Sequence, residues 1–191
     1  MKEIELKAHV SDRESLIKKL NEIAEFKGAL SRDDTYWALP QTDAFVKTPS
    51  IRIRRETDEN KNRSAVLTYK RKELKKSENG ITTEVNEELE SAIENPGVLE
   101  TFFSDCMFTV RLTKHKDVMD WTMNLESGHR ATLELCRVPP LGDFLEIEIL
   151  TNTTDEAEQK FCQQELLAIL ELTGIDRSCI ENRYYSELLK S

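Results

Sequence analysis

Glu3-Ile4-Glu5-Leu6-Lys7 is the stretch on which the reading of this chain turns. Successive side chains of a β-strand point to opposite faces. Glu3, Glu5 and Lys7 therefore share one face, and Ile4 and Leu6 share the other. Near the far end, Glu146-Ile147-Glu148-Ile149-Leu150 repeats the device. Two Glu-x-Glu strands at opposite ends of one chain raise the question of whether their acidic faces meet.

The segments between them alternate in the same way. Ile51-Arg52-Ile53-Arg54 sets two guanidiniums on one face, and a strand over 64–72 aligns Val66, Thr68, Lys70 and Lys72. A strand over 81–90 aligns Glu84, Asn86 and Glu88, and one over 108–116 ends in Lys114-His115-Lys116. Two further strands, over 120–125 and 129–137, join through Gly128; the second opposes Arg130, Thr132, Glu134 and Cys136 to Ala131, Leu133 and Leu135. Asp33 to Trp37 reads as a β segment, Pro40 as a loop start, Glu56 to Arg63 as a polar hairpin tip and Glu73 to Gly80 as a charged, mobile loop. Pro139-Pro140-Leu141-Gly142 turns the chain into the last strand.

Helical spacing appears in fewer places. Ser11 and Glu14 fit a capping box ahead of a helix over about 12–26, which Gly28 ends. Asn95-Pro96 starts a second helix whose buried side is Val98, Leu99, Phe102 and Phe103. Thr154 caps a long helix with Phe161, Leu166, Leu167, Ile169 and Leu170 inward and Gly174 at its end. A short helix over 183–189 closes the chain, with Tyr184 and Tyr185 as packing anchors. Sequential strands favour an antiparallel sheet.

Two arrangements explain charges on strand after strand. In one, an antiparallel sheet exposes one face to water. In the other, the sheet closes and one face of every strand lines a common lumen. Burying that many charges is costly unless they pair or meet a ligand. Carboxylates hold a hard divalent cation through oxygen, and Arg and Lys hold phosphate oxygens, so a polyphosphate with Mg²⁺ or Mn²⁺ suits such a lumen. Periodicity alone leaves both arrangements open.

Composition narrows the classes. At 191 residues the chain suits a single domain over 1–191, and 33% charged with 7% aromatic residues describes a polar globular protein. A net charge of -9 argues against sequence-independent nucleic-acid binding. No apolar run reaches membrane-spanning length, and Met1-Lys2 leads straight into a strand with no signal peptide; the expectation is a cytoplasmic protein. Cys106, Cys136, Cys162 and Cys179 are too scattered for a zinc cluster and read as reduced thiols. His9, His115 and His129 read as surface or hydrogen-bonding residues.

Taken together, these motifs resemble the CYTH family of class IV adenylate cyclases and thiamine triphosphatases, also called triphosphate tunnel metalloenzymes. Glu3 to Lys7 matches its E-x-E-x-K strand, Asp34-Thr35-Tyr36 its D-x-Y segment and Arg52/Arg54 its R-x-R strand. Thr68-Tyr69-Lys70 looks like its lysine strand, Glu84 like its mid-chain glutamate, and Leu141 to Glu148 like its L-G-x-F-x-E-x-E strand. Arg183 to Leu189 looks like the close of the bacterial cyclase-like branch. The chain departs from the pattern at Lys116, where the family has Arg, and at Cys136, where it has Asp.

The resemblance implies an α+β fold: an eight-stranded antiparallel β-barrel, the triphosphate tunnel, with helices packed outside. It implies Glu3, Glu5, Glu146 and Glu148 as ligands of Mg²⁺ or Mn²⁺. Arg52, Arg54, Lys70, Lys114, Lys116 and Arg130 fall to phosphate binding, and Lys7, Glu84 and Glu134 to catalysis. The implied partner is a triphosphate small molecule such as ATP, with neither nucleic acid nor membrane, and the cyclase branch implies a homodimer by analogy. The implied reaction is conversion of ATP to cyclic AMP and pyrophosphate. The alternatives are hydrolysis of inorganic triphosphate, thiamine triphosphate or a nucleotide, and binding without turnover.

Overall fold

The two Glu-x-Glu strands do meet. In the computed structural model, β1 (Lys2–Val10) and β8 (Gly142–Thr151) run antiparallel, with Glu5 opposite Glu148 and Lys7 opposite Glu146. The structure describes the backbone of residues 2–39, 50–76, 82–152 and 155–190, and within these the side chains of all but 2, 50, 70–76 and 82–88.

The remaining strands are β2 (Glu25–Ala38), β3 (Ser50–Asp58), β4 (Arg63–Lys76), β5 (Thr82–Ala92), β6 (Thr109–Asn124) and β7 (Arg130–Val138). All pairings are antiparallel, and the order β1-β5-β4-β3-β2-β6-β7-β8 returns to β1 as a closed barrel. The shortest seam is β1–β5, paired from Lys2↔Glu87 to Glu5↔Glu84. Around the ring are α1 (Arg13–Ile23), α2 (Pro96–Asp105), α3 (Glu156–Thr173), a 3-10 turn (Arg177–Cys179) and α4 (Tyr185–Leu188).

The main core lies outside the barrel. Ile4, Leu6 and Ala8 of β1, Ala131, Leu133 and Leu135 of β7, and Leu145, Ile147 and Ile149 of β8 point outward, where Leu16 and Leu20 of α1 and Leu166, Ile169 and Leu170 of α3 cover them. Trp121 joins this core and donates its indole N–H to Asn21 of α1 at 2.8 Å. Burying this face is the main favourable term, worth roughly 1.5–3 kcal/mol per large apolar side chain. It forces the charged alternate residues of the same strands into the lumen.

Several boundaries differ from expectation. Asp12, not Ser11, caps α1, its carboxylate accepting from the Ser15 N–H at 3.0 Å. The helix stops at Ile23, and Gly28 sits within β2 at a register shift, with φ +139°. The strands expected over 108–116 and 120–125 are one strand, β6, because Asp117 and Val118 stay paired with Arg137 and Cys136. β4 continues to Lys76, where a loop was expected. Asp155 caps α3; Thr154, residues 77–80 and the Pro40 loop lie outside the described residues. Val98, Phe102 and Phe161 are exposed, while Phe103 and Cys162 are buried, because each helix touches the barrel along a narrower stripe than its apolar residues span.

Candidate active site in the barrel lumen

Lumen-facing charges segregate into two neighbouring groups. In the cationic group, Asp34 of β2 is fully buried; its oxygens accept from Arg54 Nε at 2.8 Å and Nη2 at 3.2 Å, and Lys114 Nζ lies 3.3 Å away. Burial alone raises a carboxylic acid's pKa, but Lys114 and Arg54 outweigh it and hold Asp34 well below the usual range. Arg52 donates to Thr68 Oγ1 at 3.0 Å and lies 3.5 Å from Glu90. Lys116 is buried beside Glu146, to which it donates, with Cys136 Sγ at 3.7 Å and Glu134 at 4.0 Å. Burial opposes the Glu146 charge, yet Lys116 and Lys114 dominate and hold it ionised, well below its ordinary value.

The acidic group begins one strand repeat away. Glu148 is pushed well above the carboxylate range, first by burial and then by the charges of Glu3, Glu134 and Glu5 and a hydrogen bond with Glu3. Glu146 and Glu148 share a face two residues apart yet shift in opposite directions, because one meets ammonium groups and the other carboxylates. Carboxylates crowded until one is pushed well above its ordinary range fit the chemistry of a hard divalent cation, which needs oxygen donors of this kind.

Between the groups, Arg32 Nη1 donates to both oxygens of Glu134 at 2.6 Å, and its Nε donates to Glu56 at 2.7 Å. Burial raises Glu134, but Arg32 and Lys116 bring it below its ordinary value. Asp120, paired in register with Glu134, is pushed up to about 6 by burial and the Glu134 charge.

The structure thus brings together Lys7, Arg52, Arg54, Lys114, Lys116 and Glu146 on one side and Glu3, Glu5 and Glu148 on the other, with Glu134 between them. Arg130 is exposed at the β6–β7 hairpin, within electrostatic reach of Glu25 and away from both groups. Backbone register sets Glu84 opposite Glu5 and Lys70 opposite Ser50 and Glu88; the side chains of Lys70, Glu84, Lys72, Lys75 and Lys76 lie outside the described residues. Each histidine meets carboxylates: His9 pairs with Glu181, His115 with Asp33 and Asp117, and His129 with Glu158 and Glu165.

Sequence reasoning assigned no role to Arg32 or Asp120. Both were legible as same-face neighbours, Arg32 two before Asp34 and Asp120 four after Lys116, once β2 and β6 are read as continuous strands. It also placed Tyr185 in packing. Tyr185 does pack, edge-on against Phe144 and beside the Val118 and Leu188 cluster, and its ring also lies among lumen lysines, with Lys7 Nζ 4.3 Å, Lys114 Nζ 4.7 Å and Lys116 Nζ 5.2 Å from its centroid.

The CYTH domain family model matches residues 1–185. The chain belongs to the CYTH family. Among solved structures this CYTH protein is similar to the PH1819 protein of Pyrococcus horikoshii OT3, at 27% identity over 98% of each chain with a TM-score of 0.78. The PH1012 protein of the same organism is 26% identical over 97% of this chain and 98% of that one, with a TM-score of 0.73. At the level of fold it is also similar to a provisionally assigned adenylate cyclase of Vibrio parahaemolyticus, at 17% identity, 99% and 98% coverage and a TM-score of 0.76. No curated protein matches the chain. Among the described residues, no helix is long and apolar enough to cross a membrane.

Proposed function

We propose that this CYTH protein is a metal-dependent adenylate cyclase, converting ATP to cyclic AMP and pyrophosphate in the barrel lumen. The observation that carries this reading is the separation of the two charged groups along β8. Glu146 sits with the lysines and Glu148 with the carboxylates, one side-chain repeat further on, or about 6.6 Å at 3.3 Å per residue. A triphosphate whose terminal group rests among Lys7, Lys114 and Lys116 then extends its inner phosphates toward Glu3, Glu5 and Glu148, where cyclisation takes place.

The residues divide the work. Arg52 and Arg54, with Lys70, Lys114 and Lys116, neutralise and hold the phosphate oxygens. Glu3, Glu5 and Glu148, together with Glu146 and Glu84, would hold Mg²⁺ or Mn²⁺, which when bound would supply charge neutralisation at phosphorus and acidify an attacking oxygen. Lys7 orients the chain. In cyclisation the ribose 3′-oxygen bonds to the α-phosphorus, the bond from that phosphorus to the bridging oxygen breaks, and pyrophosphate leaves with its electron pair. Glu134, held by Arg32 between the two groups, is the carboxylate assigned to take the hydroxyl proton.

A second reading, hydrolysis of the terminal phosphoryl group, is favoured by Asp120. A half-buried carboxyl pushed up to about 6 is matched to removing a proton from water near neutral pH. Support for taking this reading seriously comes from a structurally similar Hippeastrum protein, 19% identical, described as having a dominant triphosphatase activity.

Incubation with ATP and Mg²⁺ or Mn²⁺ separates the readings. Cyclic AMP with pyrophosphate supports the cyclase, orthophosphate without a cyclic product supports hydrolysis, and tight binding without turnover reduces the protein to a triphosphate binder. Glu5→Ala and Glu148→Ala should each abolish metal-dependent turnover while the protein remains folded. Activity surviving either change overturns the metal assignment.

A further inference from the structure

A second cluster of ligand-type side chains stands outside the barrel, where the β6–β7 hairpin meets α3. Glu158, Cys162 and Glu165 are spaced by four and three residues, so they share one face of α3. His129, just ahead of β7, reaches that face from the hairpin. Its Nδ1 lies 2.6 Å from Glu165 Oε2 and 4.0 Å from Cys162 Sγ, and its Nε2 lies 3.0 Å from Glu158 Oε1. Ligand atoms of His129, Cys162 and Glu165 all fall within 4.8 Å of one another. The hairpin holds them in place. The Leu125 N–H donates to the His129 carbonyl at 2.9 Å, and the Ser127 hydroxyl donates to Glu165 Oε1 at 2.5 Å while accepting from the His129 N–H at 3.2 Å. Cys162 is fully buried, whereas His129 and Glu165 are half-buried, so the cluster is shut on the core side and open toward solvent.

Two features set this cluster apart from a surface ion pair or a reactive cysteine. A neutral imidazole has one N–H and satisfies only one of the two carboxylates beside it; the other nitrogen's lone pair faces an anion unless a cation stands between. A second ring proton answers the carboxylates but leaves the sulfur without a role. The sulfur and the Glu165 oxygen also converge on the same nitrogen, Nδ1. A nucleophilic relay needs the opposite arrangement, with thiol and carboxylate on different ring nitrogens. Burial, followed by the Glu165 and Glu158 charges, pushes the Cys162 thiol up to about 11, which leaves it inert as a nucleophile. Convergence on one nitrogen suits an ion shared by three ligands. Zinc bond lengths at tetrahedral angles set N···S and N···O separations of about 3.6 and 3.3 Å, so each ligand moves by less than about 1 Å.

We propose that His129 Nδ1, Cys162 Sγ and Glu165 Oε2 form a binding site for a borderline divalent cation of the Zn²⁺ class, leaving a fourth position to water. Glu158 accepts the Nε2–H and Ser127 holds Glu165, the outer partners that orient a ligating histidine and carboxylate. A thiolate with an imidazole selects Zn²⁺ or Co²⁺ over the Mg²⁺ or Mn²⁺ that suit carboxylates alone. The ion ties the hairpin to α3 across 33 residues of sequence, a separation at which cysteine spacing shows no zinc pattern. The site is separate from the lumen and does not depend on the reaction proposed there.

Co²⁺ titration of the full chain under reducing conditions, followed by absorption, tests this, because a thiolate ligand adds a sulfur-to-cobalt charge-transfer band that oxygen ligands lack. The wild type should develop the band. Zn²⁺ should bleach it, and about a hundredfold excess of Mg²⁺ should not. Cys162→Ser should lose the band, and Cys136→Ser, which removes the lumen thiol, should keep it. His129→Gln, at a half-buried hairpin position, should weaken Co²⁺ affinity at least about tenfold, and Glu158→Ala about ten- to a hundredfold. Circular dichroism checks that each variant is folded; if Cys162→Ser is not, His129→Gln decides. No band in the wild type, a band that survives Cys162→Ser or vanishes with Cys136→Ser, or an affinity unchanged by His129→Gln overturns the proposal.

Discussion

Asp34 is the centre of the cationic wall, and replacing it tests the electrostatics of the lumen. Asp34→Asn keeps the shape and removes the charge. Two hydrogen bonds from Arg54, at 2.8 and 3.2 Å, and the Lys114 contact at 3.3 Å then lose their anion, and one amide N–H₂ turns a donor toward a donor. Breaking a buried ion pair by removing one partner costs about 3–5 kcal/mol. For a chain of this size each kcal/mol moves Tm by roughly 2–4 °C, so the expected fall is about 6–20 °C. The pH dependence has a defined direction. The folded-state pKa of Asp34 is depressed, so its stabilising contribution is present above the unfolded value near 3.9 and is lost only as pH falls through the folded value. The gap between wild type and variant should therefore be constant from about pH 5 to 8 and close only in strong acid. Inorganic triphosphate supplies the missing negative charge, so it should raise the Tm of Asp34→Asn more than that of the wild type. Differential scanning calorimetry with urea titration measures all three quantities. A loss below about 1 kcal/mol, or equal rescue of both proteins by triphosphate, refutes the view that Asp34 holds an anion site closed in the absence of ligand.

Glu148 gives the opposite pH signature. Its folded-state pKa is raised, so its contribution to stability is fully present below the unfolded value near 4.3 and is lost as pH climbs through the folded value. With chelator present, Glu148→Gln should flatten that decline in urea midpoints; an unchanged slope removes Glu148 from the crowded acidic group. Since Glu148 must shed its proton to bind a cation, Mn²⁺ affinity of the wild type should rise with pH across the same window, and pH-independent affinity would count against its being a ligand. Leu166→Ala, in the fully buried core between α3 and the barrel wall, should cost about 2–5 kcal/mol in denaturant titration while leaving Mn²⁺ binding by the folded protein unchanged. A shift in metal affinity there would contradict the separation of core from site.

Much of the lumen was legible in the chain because strand alternation has a period of two, and a closed barrel turns that period into inside and outside. Glu3, Glu5, Arg52, Arg54, Lys114, Lys116, Glu134, Glu146 and Glu148 were found that way. Arg32 and Asp120 escaped because the β2 segment was begun at Asp33, one residue too late to include Arg32, and β6 was divided after Lys116, which left Asp120 on a separate strand from the lysines. Ser11 was preferred to Asp12 as a helix cap because a capping-box pattern does not reveal which side chain reaches the free N–H groups.

By itself, the order of residues determined which side chains leave each strand on the charged face, since that follows from local backbone geometry. Only the tertiary structure decided what each charge meets. Glu146 and Glu148 carry the same carboxylate two positions apart; one is held ionised by lysines of β6 and the other is pushed well above its ordinary range beside Glu3 and Glu5 of β1. That division depends on interstrand register and on where α4 returns Tyr185 to the lumen. Both are set by long-range packing of the outer core, which no local pattern encodes.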